Sequence, residues 1–332
     1  MKEIQEAHTD VGKNSSEIGK LHSIFSKELT PELSEQYLTS LTEKLGGVEQ
    51  SWETFVGKGE ALHQYIGENI YGPLVVGYCN WVKHQCDDIG HTDGNVYFAL
   101  RDAAPLLAAA DILWQGNGLK PVGIFANRPI LGIEDEFTPD AESENYQMGL
   151  KYLEKHGVHK NGDIIWVDSG AWGTVVKLMK ETVLKDTNLY PFFWYSHNPH
   201  IPGYLNELQT QTGIPEKTLE ILNDSLECMF PQPWQRPTTV MDNGNGPEVI
   251  LKPSTILSIQ WGNAAIDGVT KAAHRLNGSV TQDSEIMHLK LLAELSEQSQ
   301  KTGEWTGVLP VNTPTWSKGS EFLASWPAEL LP

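Results

Sequence analysis

The chain has 332 residues and 39% hydrophobic content, enough for one sizeable α/β domain with additions or for two smaller domains. A formal net charge of −19 with no dense Lys/Arg run argues against nucleic acid and anionic membrane as partners. It leaves room for a small anionic substrate held locally by backbone amides, one or two arginines and a divalent metal. Cys79, Cys86 and Cys228 lack metal-ligand spacing, no apolar run approaches the ~18 residues that span a bilayer, and no N-terminal apolar segment follows the start, so a cytoplasmic protein with reduced thiols is expected.

Residues 1–14 are polar and aperiodic and read as a frayed leader. Ile18, Leu21, Ile24 and Phe25 then recur at helical spacing, and Thr30-Pro31 restarts a helix carrying Leu33, Tyr37, Leu38, Leu41 and Leu45. Further helices are expected over residues 52–65 and 73–86. The helical region 1–90 reads as a cap, a lid or a homodimer surface.

Region 91–255 changes character. Residues 95–100, NVYFAL, predict a first strand, followed by Arg101-Asp102-Ala103-Ala104-Pro105 and a helix ending near Trp114. Residues 121–126, PVGIFA, predict a second strand ending at Asn127-Arg128-Pro129. An acidic stretch over 132–145 is too polar for core and long enough for a mobile lid. After a helix over 146–156, Ile164, Ile165, Trp166 and Val167 form a continuous apolar run, as in a parallel strand covered on both faces. Residues 190–195 predict a fourth strand. The segment after Ser196 is rich in turn formers, with helices expected over 215–226, 256–276 and 282–300; region 256–332 reads as a helical extension. Alternating strands and helices predict a parallel, Rossmann-like sheet with ligands at the carboxyl ends of its strands.

The stretch from Gly162 to Val183 concentrates candidate chemistry. Asp168 is expected where its strand ends, Gly170 and Gly173 allow a tight turn, and Thr174 can cap the following helix. The unpaired N–H groups of a helix start suit a phosphate. Each residue also has a plain structural role open to it. Asp168 is a functional carboxylate or a turn cap, Thr174 a phosphate ligand or a cap, and Arg101-Asp102 a site or an internal ion pair. Arg128 is an anion ligand or a solvated loop residue. The acidic stretch is a metal ligand set or a solvated surface, without EF-hand spacing. His197 and His200 follow the fourth strand and offer an acid or base at the same rim, or a structural loop.

Strand, polar turn and helix, then strand and lid, then an apolar strand ending in an acidic Gly/Thr turn, resembles the core of the type I phosphoribosyltransferases. The resemblance implies a phosphoribosyltransferase-like α/β fold in which residues 101–104 cradle pyrophosphate with Mg²⁺. It also implies that Asp168 faces ribose hydroxyls and that Gly170, Ala171, Trp172, Gly173 and Thr174 wrap a phosphate; Ser169, Asn127, Arg128 and His197 join the candidate substrate-binding residues from their places at the strand ends and rim. The family's loop has two adjacent acidic residues and a Thr-Gly pair; here Asp168-Ser169 and Trp172-Gly173 stand.

Residues 72–183 also resemble the C-terminal region of large haloacid-dehalogenase-like proteins associated with surface polysaccharide synthesis, which carry Arg-Asp-Gly and Asp-x-Gly-x-x-Gly-Thr stretches. Ala103 occupies the glycine position of the first. The expected function is a pentosyl transferase or hydrolase acting at the anomeric carbon of a phosphorylated pentose, with Asp168, Arg101 and Asp102 as catalytic residues and a sugar phosphate or nucleotide as partner. Two alternatives stand beside it, a non-catalytic nucleotide- or sugar-phosphate-binding regulator and a haloacid-dehalogenase-type phosphatase. The phosphatase needs an Asp-x-Asp pair, which neither Asp102 nor Asp168 has.

Overall fold

The computed structural model describes residues 60–61, 63–100, 102–127, 130–131, 143–158, 162–229, 236–252 and 256–302. The helices expected before residue 60, most of the acidic stretch, Arg101 and Arg128 lie outside them.

A π-helical turn, Gly67–Tyr71, leads into helix α1, Gly72–Asp88, with Pro73 in its first turn. Leu74, Val75, Val76, Tyr78 and Cys79 are all buried, so this half of α1 is apolar around its circumference and lies in the core. Strand β1, Gly94–Ala99, is followed by α2, Ala104–Leu113, then β2, Leu119–Ile124. Helix α3, Glu144–Lys155, starts earlier than the sequence suggests. Ser143 Oγ accepts from Tyr146 N at 3.2 Å and caps it, which moves Glu144 and Asn145 out of the expected acidic loop.

Strand β3, Ile164–Ala171, leads to α4, Thr174–Glu181, and β4, Leu189–Ser196. Then come α5, Tyr204–Thr212, and α6, Glu216–Met229, a hairpin of β5, Arg236–Asp242, and β6, Pro247–Lys252, and the long helices α7, Ile256–Leu276, and α8, Gln282–Thr302. Helix α5 and the hairpin occupy the segment that reads as turn-rich. Only Tyr204, Leu205 and Leu208 of α5 are buried, so its apolar periodicity is short.

Strands β1 to β4 form one all-parallel sheet in the order β2-β1-β3-β4. The chain is therefore α/β and Rossmann-like in its described part, as its alternating elements predict. Adjacent residues of each strand serve opposite faces. Val96, Phe98, Ile165, Val167, Phe192 and Trp194 join a cluster with α1, α2, α5, α6, α7 and α8. Tyr97, Ala99, Ile164, Trp166 and Phe193 join a second one with α3, α4 and the hairpin residue Val240. Both edge strands contain a proline, Pro121 in β2 and Pro191 in β4, where a missing N–H costs no ladder bond. The outer margin of β4 is further occupied, since Phe193 N donates to the Pro202 carbonyl at 3.0 Å.

Candidate functional site

Because all four strands run the same way, their carboxyl ends share one edge. Across that edge stand Asn127 after β2, Asp102 after β1, Asp168 to Ala171 in the last part of β3, and His197 after β4. The order reverses between β1 and β3, since β2 lies on one side of β1 and β3 on the other. Such a switch point opens a crevice where neighbouring connections leave toward opposite faces of the sheet. Phe98 pairs with Val167 in register, so Asp102 and Asp168 emerge from adjoining strands at this point. Helices α2 and α4 both begin from the same edge.

Asp168 is not the last residue of its strand. Gly170 and Ala171 still pair with Tyr195 and Ser196, because β4 extends past the apolar run and supplies ladder partners that sequence polarity does not reveal. Asp168 Oδ1 accepts from Ser169 Oγ and from Gly170 N, each at 3.4 Å, and Ser169 is buried. Gly170 has φ of 100°, and a Cβ there would overlap the Tyr195 carbonyl oxygen and press on Phe193. Both facts demand glycine.

Thr174 is not the helix cap. Gly173, at φ 68°, takes the N-cap position of α4 without a side-chain bond, and Thr174 is the first helical residue. The left-handed turn at Gly173 does the work of swinging the chain from strand to helix, which places the first amides of α4 at the sheet edge. At the β1–α2 connection, Ala103 is the N-cap, Ala103 N donates to the Ala99 carbonyl at 3.2 Å, and no side chain caps the helix. Asn127 Oδ1 accepts from Ile130 N at 3.3 Å and shapes the turn after β2.

His197 sits in a loop fixed by hydrogen bonds. Asn206 Oδ1 accepts from Ser196 N and its Nδ2 donates to the Ser196 carbonyl, both at 2.9 Å. Asn198 Oδ1 accepts from His200 N at 2.9 Å. The His197 ring stacks on Trp172 with centroids 4.1 Å apart and planes at 24°. Its Nδ1 lies 3.1 Å from Tyr195 Oη, and its Nε2 lies 3.6 Å from Glu220 Oε1 on α6. Burial lowers the pKa of the His197 imidazole, opposed by the carboxylates of Glu220 and Glu216. Burial also raises the Tyr195 phenol, reinforced by the same two carboxylates. Glu216 and Glu220 are missing from the sequence reading, and Tyr195 enters it only as a neighbour of His197 at the end of the fourth strand. No spacing relation ties α6 to the end of β4, and only packing brings them together.

No protein-family model matches the chain, and no curated protein matches it. Among the described residues, no group of three or more His, Cys, Asp or Glu side chains is arranged to hold a metal ion.

Proposed function

We propose that the chain acts at the anomeric carbon of a phosphorylated pentose, as a phosphoribosyltransferase-like pentosyl transferase or hydrolase. The observation that carries this reading is that Asp102 and Asp168 follow adjoining strands at the β1/β3 switch point, beside the Gly170–Gly173 turn leading into α4. A phosphate fits the amides at the start of α4, where the helix dipole favours an anion. Asp168, positioned by Ser169 and Gly170, would hold sugar hydroxyls while positive charge develops on the ring. Arg101 and the β1–α2 turn would steady a pyrophosphate leaving group. Catalysis of this kind is positional and electrostatic, with little covalent chemistry asked of the protein.

Mg²⁺ prefers carboxylate and phosphate oxygens and keeps several waters, so one or two carboxylates and the substrate's own phosphates suffice to bind it. Asp102 and Asp168 have the right donor chemistry for that role. The metal would neutralise pyrophosphate charge.

Calorimetric titration with phosphoribosyl pyrophosphate, with and without Mg²⁺, tests the reading together with Asp168→Asn. Metal-dependent binding that the variant loses is expected. Absence of binding under both conditions would sink it. One observation favours a second reading, a regulator that binds without turnover: Asp168 Oδ1 is already engaged by the turn that follows it, as in a carboxylate kept for loop shape. Binding of a nucleotide with no release of pyrophosphate or base would select that alternative.

A further inference from the structure

Trp172 stands apart from the tryptophans of the core. Trp166 and Trp194 are fully buried, whereas Trp172 is half-buried in the loop between Gly170 and Gly173, at the carboxyl edge of the sheet. A large ring left partly in water at a ligand edge calls for an explanation, and the groups behind it supply one. His197 lies nearly parallel to it at 4.1 Å. Both nitrogens of His197 are directed to protein groups, Nδ1 to Tyr195 Oη and Nε2 toward Glu220, and Tyr195 also meets the imidazole edge-on with centroids 4.8 Å apart. The imidazole therefore offers its face to Trp172. The Asn206 bonds to Ser196 anchor the loop that carries it. The result is a rigid, backed indole beside the phosphate-type turn.

We infer that Trp172 is a stacking platform for the planar base of a nucleotide whose phosphate occupies the 170–174 turn, so that nucleotides rather than bare sugar phosphates are the ligands of this site. The inference rests on the pentose-phosphate reading of that turn. A pre-stacked indole loses little side-chain freedom on binding, and base stacking on an aromatic side chain tolerates any base because each has a π-face. The acidic whole chain does not oppose this contact, since stacking needs no basic groove.

The test is calorimetric titration of the full chain with AMP, UMP, ribose 5-phosphate and adenosine, using wild type, Trp172→Ala and Trp172→Phe. Stacking contributes roughly tenfold or more in affinity. AMP is expected to bind about tenfold tighter than ribose 5-phosphate, with UMP between them. Trp172→Ala should cut AMP affinity far more than ribose 5-phosphate affinity, bringing the ratio of the two to about one. Trp172→Phe, which keeps an aromatic face, should retain most of the gain, and this separates stacking from collapse of the loop. Equal affinities for AMP and ribose 5-phosphate in wild type would overturn the platform and leave the pentose-phosphate reading standing, as would loss of both ligands together in Trp172→Ala. Adenosine binding that depends on Trp172, with no binding of ribose 5-phosphate, would keep the platform and overturn the pentose-phosphate reading. Failure of all four ligands overturns both.

Discussion

His288 is 2% exposed, and its Nδ1–H donates to the Ser284 carbonyl at 2.7 Å. Burial pushes this imidazole below its ordinary value, against the pull of the Ser284 hydrogen bond. A histidine with a lowered folded pKa takes up its proton more readily in the unfolded chain. Stability is therefore greatest above the ordinary value of about 6.5 and falls as pH drops from there toward the folded value. The loss is at most about 1.4 kcal/mol per pH unit for one proton. Urea unfolding compared at about pH 7.5 and about pH 5 should show this decline, and His288→Gln should lessen it, while His156 and His197, also lowered by burial, keep their share in both proteins. Glu285, whose carboxyl is raised by burial against the opposing bond from Tyr204, contributes the opposite slope in both proteins and cancels in the comparison. At this scale the sequence is informative where a residue's role is local: glycine at 170 and 173 can be read from the turn it must make. It is silent on Glu220, which reaches His197 only because α6 folds back over the end of β4.

Among the elements, α7 is held by unusually close backbone approach. A Cβ at Gly67 would overlap the Ala265 carbonyl oxygen, and one at Gly72 would overlap the Ala272 side chain. The neighbour at Gly67 is backbone and cannot rotate away. Gly67→Ala should therefore force α7 off the π-helical turn and destabilise the fold by about 2 kcal/mol or more, read as a lower urea midpoint at unchanged slope. An unchanged midpoint would mean that the two elements separate freely. The helix itself is legible from its apolar pattern, and the Ile256–Leu276 limits match the expected ones. Its partner is not legible, because small residues at 67, 72 and 265 carry no periodic signal and matter only when two backbones meet. The β5–β6 hairpin escaped notice for a different reason. Its Asp242-Asn243-Gly244 turn is a recognisable signal, yet it lies in a run of turn formers, and the hairpin is secured by remote contacts. Lys155 Nζ donates to the Pro247 carbonyl at 3.3 Å, and Thr239 Oγ1 donates to Asn145 Oδ1 at 2.7 Å.

For the molecule as a whole, the net charge of −19 is the dominant electrostatic fact. Like charges repel one another in the compact state, and salt shortens the reach of that repulsion from about 30 Å at 0.01 M to about 8 Å at 0.15 M. Raising NaCl over that range should raise the thermal midpoint, and a fall instead would show that specific ion pairs outweigh the net field. The parallel sheet follows from composition and alternation, since apolar strands between helices have few other solutions. The site edge follows from that sheet. The strand order, with its reversal between β1 and β3, does not, because pairing depends on contacts between segments far apart in the chain. No described helix is long and apolar enough to cross a membrane.

The two margins of the sheet have a further consequence. Pro121 interrupts the donor row of β2, and the 198–203 loop covers part of the outer side of β4. Neither margin presents an unbroken row of N–H and C=O groups to a passing strand. Cross-β stacking needs such a row as its template. The apolar strand sequences NVYFA, IIWV and FFWY would be hazardous if exposed, so the native fold acts as their guard, and fibril growth from these three strands would have to begin with unfolding.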